Sequence, residues 1–72
     1  MDYLQDLRLD GIDLSILGIV SQKREISFSQ LRHDIPAIPE STLLYRVKNL
    51  VMDGRLAGFK DGRRLVLQPI DN

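Results

Sequence analysis

Cysteine is absent from the 72-residue chain. That excludes disulfides, a thiolate nucleophile and a cysteine zinc site, and it suits a reducing compartment. Histidine occurs once, at His33. A multi-histidine metal site is therefore excluded, and a Ser-His-Asp triad has a single candidate base. No apolar run approaches the roughly 20 residues of a membrane span, and no signal-peptide pattern opens the chain. Nucleophile–base pairs, metal-ligand spacings and glycine-rich phosphate loops are missing as well. Neither an internal repeat nor a low-complexity linker interrupts the sequence. The expectation is a protein that is not an enzyme, carries no cofactor or metal, and does not enter a membrane.

What remains is one domain over residues 1–72, with a core from 10 to 68, an extension at 1–9 and a tail at 69–72. A core this small is marginal unless nearly every apolar residue is used or a partner adds buried surface. Formal net charge is zero, which weighs against a nucleic-acid partner. The charge is unevenly spread, however. Residues 1–40 hold seven acids and four bases, for −3, whereas residues 41–72 hold three acids and six bases, for +3. Such a split points to an oriented field.

Periodicity places the elements. Tyr3, Leu4 and Leu7 have the spacing of a short amphipathic turn. Asp10 suits a helix N-cap, and Asp13 adds negative charge to the first turn. The first helix is expected from Gly11 or Ile12 to Val20 or Ser21. Ile12, Ile16, Leu17 and Val20 form its buried stripe, and Leu14 widens it. Gly18 weakens this helix by about 1 kcal/mol relative to alanine, so another element is expected to pack closely there. Ile26-Ser27-Phe28 is short, but can add an edge to a later sheet. Ser27 and Gln30 fit a capping box at the start of a second helix, Phe28 to His33 or Asp34. It buries Phe28 and Leu31, and Ile35-Pro36 stops it. Ile35 and Ile38 anchor the following turn.

The third helix starts between Pro39 and Ser41, with Ser41 as a good cap. At 100° per residue, Val47 and Leu50 lie within about 40° of Leu43 and form the buried stripe. Ser41, Tyr45, Lys48 and Met52 fall on the opposite side. Thr42, Arg46 and Asn49 take one flank; Leu44 and Val51 take the other and widen the apolar face. Asp53-Gly54 ends the helix. Leu56–Lys60 and Arg63–Gln68 read as strands joined by a two-residue turn at Asp61-Gly62. That register sets Lys60 opposite Arg63 and Phe59 opposite Arg64. Like charges then crowd the tip, and Leu56, Leu65 and Leu67 share the core face. Pro69 ends the second strand.

Three runs carry a resemblance: Ser41-Thr42-Leu43, Val47-Lys48-Asn49-Leu50 and Asp53-Gly54-Arg55-Leu56. Together with Ile12 to Leu17 and Ile26 to Leu31, they resemble winged helix-turn-helix regulators, the PadR and MarR groups among them. The resemblance covers about Asp10 to Gln68. It implies an α+β fold of three helices with a C-terminal two- or three-stranded β-hairpin wing. It also implies sequence-specific binding of double-stranded DNA by a small cytoplasmic, nucleoid-associated transcriptional regulator. The recognition helix at 40–53 would enter the major groove, and the wing at 56–68 would lie on the backbone or minor groove. Glu40 and Arg55 depart from the pattern, since such proteins usually carry a small or basic residue and an apolar one there. The long dimerising helix of the PadR and MarR groups has no room in this length. A homodimer would have to use the first ten residues, the first helix or the tail.

Residue chemistry assigns roles within that frame. Ser41 and Thr42 offer hydroxyls and helix-start N–H groups to phosphate. Tyr45, Arg46 and Asn49 are the candidates for base edges, because arginine suits guanine and asparagine suits adenine. Lys48, Lys60, Arg63 and Arg64 would hold phosphates. The bland alternative is that these are ordinary solvated charges. A second functional reading is a winged helix that binds a partner protein and not DNA. Tyr45, Met52, Leu44 and Val51 support it, as do Glu40 and the zero net charge. For Leu44 and Val51, packing within the domain is the favoured reading.

Overall fold

The computed structural model describes residues 11–70. The expected turn at Tyr3–Leu7, the Asp10 cap and the end of the tail at Asp71 and Asn72 lie outside these residues. Within them the chain is a small α+β domain with three helices and a three-stranded antiparallel sheet. In chain order the elements are α1 (Gly11–Lys23), β1 (Ile26–Ser27), α2 (Phe28–Asp34), α3 (Glu40–Met52), β2 (Leu56–Asp61) and β3 (Arg64–Pro69). None of the described helices is long and apolar enough to cross a membrane.

Helix α1 buries Ile16 and Val20 completely, with Ile12, Leu17 and Ile19 packed at the margins of the core. It continues to Lys23, past the expected end at Val20 or Ser21. Arg24 then turns the chain with φ +72°, and its N–H donates to the Val20 carbonyl at 2.8 Å. A left-handed residue at this place is usually glycine. Two expectations for α1 fail. Leu14 is 56% exposed, because it sits about 160° around the helix from Ile16. Gly18 also faces open space: a Cβ added there would meet nothing within 4 Å.

Helix α2 begins where the capping signal predicts, with the Gln30 N–H donating to Ser27 Oγ at 3.2 Å. The reciprocal half of the box is not made. The Gln30 side chain instead donates to Asp34 Oδ1, 3.1 Å away and one turn ahead. Leu31 is fully buried, and Ile35 and Ile38 pack on the core edge as anchors of the connection to α3.

Helix α3 carries the stripe expected of it, with Leu43, Val47 and Leu50 all buried. It starts at Glu40, within the expected Pro39–Ser41 interval, but its cap differs from expectation. Pro39 is the N-cap and offers no side-chain hydrogen bond, which leaves Ser41 inside the first turn and not at the cap. The Pro39 carbonyl accepts the first intrahelical bond, from the Leu43 N–H at 2.9 Å. At the other end Gly54 has φ +77°. Its N–H donates to the Val51 carbonyl, and the Arg55 N–H donates to the Leu50 carbonyl. This pair of bonds is a Schellman closure, which satisfies the last carbonyls of the helix.

The sheet order is β1-β3-β2, so β3 is central and the short β1 supplies its second edge. Ile26 pairs with Leu67 and Ser27 with Val66. The hairpin register corrects the sequence expectation: Asp61 lies opposite Arg64, Lys60 opposite Leu65 and Phe59 opposite Val66. The turn is therefore Gly62-Arg63. Gly62 has φ +66°, whereas Arg63 is not left-handed, which is the type II′ pattern with glycine first. This register exchanges the expected Lys60/Arg63 repulsion for an Asp61/Arg64 attraction. Relative to the expected pairing, each residue of β2 meets a partner two positions further along β3. A slip of two leaves each side chain on its original face. Leu56 and Leu67 accordingly stay in the core, with Leu65 packed at its margin.

Replacing Gly62 with alanine is expected to cost about 1 kcal/mol, since a side chain is disfavoured at this φ. A lowered urea midpoint with an unchanged slope would report it.

Candidate functional site

The nine candidate DNA-contacting residues divide between α3 and the hairpin. On α3, Ser41, Tyr45 and Lys48 point outward, and Thr42 and Asn49 are half-buried beside them. Tyr45 is 64% exposed and Met52 82%, so the outward face ends in two large side chains that the fold does not use. The side chains that build the core occupy the opposite face of the same helix. Burial therefore separates folding residues from available ones.

Lys60, Arg63 and Arg64 are all exposed on the hairpin. Arg63 is the second residue of the turn and so lies at its tip. Arg64 faces Asp61 across the strands, which offsets part of its charge. Lys60 shares the Leu65 face. The hairpin is seated on α3 through Gly58: a Cβ added there would come within 3.2 Å of Val51 Cγ2. Glycine is what lets the strand approach the helix this closely. From Gly58 the strand runs four residues to the turn, roughly 13 Å at the usual rise. The cationic tip thus projects past the α3 contact as an arm.

Arg46 stands apart. Its Nη1 lies 3.6 Å from Asp13 Oδ2 on α1, and Asp13 is only 8% exposed. Moving Arg46 to a guanine would take the cation away from a mostly buried carboxylate. Breaking a fully buried ion pair costs about 3–5 kcal/mol; the cost is smaller here, since the Arg46 side chain keeps 31% exposure. A bidentate guanine contact returns about 1–3 kcal/mol. The two terms are comparable, so Arg46 gains little by leaving. Its geometry is that of a tie between α1 and α3, which helical spacing within α3 alone could not reveal.

A second pair bears on the acid at the start of α3. Arg32 Nη2 of α2 lies 3.4 Å from Glu40 Oε1. Both side chains are about half exposed, so the pair adds little stability. It does lower the negative potential that Glu40 would present beside Ser41 and Thr42. The first turn of α3 has no side-chain cap, and its leading N–H groups point toward the same region. Elsewhere, Gln68 Nε2 donates to Glu25 Oε1 at 2.8 Å, joining the end of β3 to the chain before β1.

No group of three or more His, Asp or Glu side chains that could hold a metal occurs among the described residues. His33 is exposed on α2. A shallow concavity of about 360 Å³ is lined by Gly11, Ile12, Ser15, Ile35 and Ile38. It lies between α1 and the α2–α3 connection, none of its lining residues is a candidate, and it offers only one side-chain hydroxyl. Comparison of the chain with protein-family models, with curated proteins and with solved structures gave no match.

Proposed function

We propose that this domain is a winged helix-turn-helix module that binds double-stranded DNA, as a small transcriptional regulator would. The observation that carries the reading is the division of α3. Leu43, Val47 and Leu50 are consumed by the core, while Ser41, Tyr45 and Lys48 remain outward beside a hairpin whose tip carries Lys60, Arg63 and Arg64. In this reading α3 lies in the major groove along its outward side, and the hairpin is the wing. The uncapped N–H groups and the hydroxyls of Ser41 and Thr42 meet a phosphate. Lys48 and the wing cations meet others, and each neutralised phosphate releases counterions. The order α1-β1-α2-α3-β2-β3, with β1 added to the hairpin, agrees with the winged-helix resemblance.

A domain this small reads few base pairs, so specific binding calls for a homodimer on a two-fold site. Cytoplasmic, nucleoid-associated localisation belongs to the same proposal.

The test is fluorescence anisotropy with a labelled random-sequence duplex across a salt series, with sedimentation to count subunits. The expected result is binding at low salt whose log affinity falls linearly with log salt. Failure to bind at low salt would remove the reading. One observation favours a second reading, a module that docks on a partner protein. Tyr45 and Met52 are both highly exposed on one helix face, and exposed aromatic and methionine side chains are enriched at protein interfaces.

A further inference from the structure

We infer that α3 selects A·T base pairs over G·C base pairs, with Asn49 as the adenine reader. This rests on the DNA-binding reading above and goes beyond it in naming the preferred base pair. Among the α3 side chains outside the core, Arg46 is the one suited to guanine in the bidentate manner, and it is held at 3.6 Å by the largely buried Asp13. Lys48 can also meet guanine O6 and N7, but without the fixed planar fork of arginine it holds them less rigidly. It is exposed on the same outward side as Tyr45 and Met52, about 100° around the helix from Asn49.

The face shared by Thr42, Tyr45, Asn49 and Met52 has a consistent chemistry. The asparagine amide matches the N7 acceptor and N6 donor of adenine. Thymine alone presents a methyl group in the major groove, and the Thr42 methyl, the Tyr45 ring and the Met52 thioether give it apolar contact. None of these residues is acidic, so no side chain on this face accepts from the cytosine amino group as a carboxylate would.

The wing adds a second bias in the same direction. Arg63 sits at the tip of the type II′ turn. A·T tracts narrow the minor groove and deepen its negative potential, which favours an inserted arginine. Helix and wing therefore favour the same base composition through different grooves.

The test compares duplexes of equal length with A·T-rich or G·C-rich centres at one salt concentration, using the full chain and three variants. The wild type should bind the A·T-rich duplex about tenfold more tightly, the discrimination of one good bidentate contact. Asn49→Ala should remove most of that ratio while leaving the salt slope unchanged. Asp13→Asn removes the carboxylate charge that holds Arg46 and should raise affinity for the G·C-rich duplex, a gain that loss of folding cannot mimic. Circular dichroism checks that each variant is folded, and Arg63→Ala reports the contribution of the wing separately. An equal or greater affinity of the wild type for the G·C-rich duplex overturns the inference and leaves DNA binding intact. Failure to bind either duplex at low salt overturns both. An Asn49→Ala variant that keeps the full ratio removes Asn49 as the reader.

Discussion

Replacing Arg63 and Arg64 together with alanine is expected to weaken binding to every duplex alike and to reduce the salt slope by about 2. Each phosphate contact contributes close to 0.9 to the slope of log affinity against log salt for duplex DNA. Both arginines are exposed and neither contributes to the core, so the domain should stay folded. The two changes are not equivalent. Arg64 faces Asp61 across the hairpin, so its removal frees an acid beside the phosphates and adds repulsion to the lost attraction. Arg63→Ala removes a charge with no such compensation. The double variant is read by anisotropy titrations across a salt series. A slope equal to that of the wild type would take the wing out of the interface.

The largest stability effect is expected at Leu43. Its side chain is fully buried at the centre of the α3 stripe. Truncation to alanine costs about 2–5 kcal/mol through lost burial and the cavity left behind. A domain of this length has a total stability of roughly 4–11 kcal/mol on a per-residue scale. Leu43→Ala should therefore unfold a large fraction of the molecules or halve the urea midpoint. Tyr45, two positions away and 64% exposed, is the internal control. Tyr45→Ala should change stability by less than about 0.5 kcal/mol. Comparable losses at both positions would contradict the division of α3 into a core face and an available face.

Local signals in the sequence were reliable where one element supplied both partners of an interaction. Leu43, Val47 and Leu50 repeat at helical spacing and are buried together; Ser27 caps the helix that follows it; Gly54 closes the helix that precedes it. The hairpin was legible as a hairpin, and Leu67 lies in the core with Leu65 at its margin as expected; the burial of Val66 on the other face is not what alternation predicts. The register of the hairpin was not legible, because Asp61-Gly62 and Gly62-Arg63 both make acceptable two-residue turns. Cross-strand charge and the position of glycine favour the second. The sequence was least informative where partners lie far apart in the chain. Asp13 reads as an acid in a helix's first turn, and its link to Arg46 depends on how α1 crosses α3. Arg32 and Glu40 meet only because the Ile35–Pro39 connection brings α2 back against the start of α3. Leu14 and Gly18 were misread for a related reason. In a helix this apolar, periodicity marks the buried face only loosely.

The two-residue strand β1 has a consequence for folding order. Its pairing of Ile26 with Leu67 joins positions separated by most of the domain. Closing a loop of that length costs about 3 kcal/mol of chain entropy. Two ladder positions cannot offset that cost unless α2, α3 and the hairpin are already packed within the loop they close. The edge strand is therefore a late and cooperative addition, and it ties the acidic first half of the chain to the basic second half. The surface that would face DNA is not a detachable module: its central strand is complete only when residues from the first half of the chain have docked beside it.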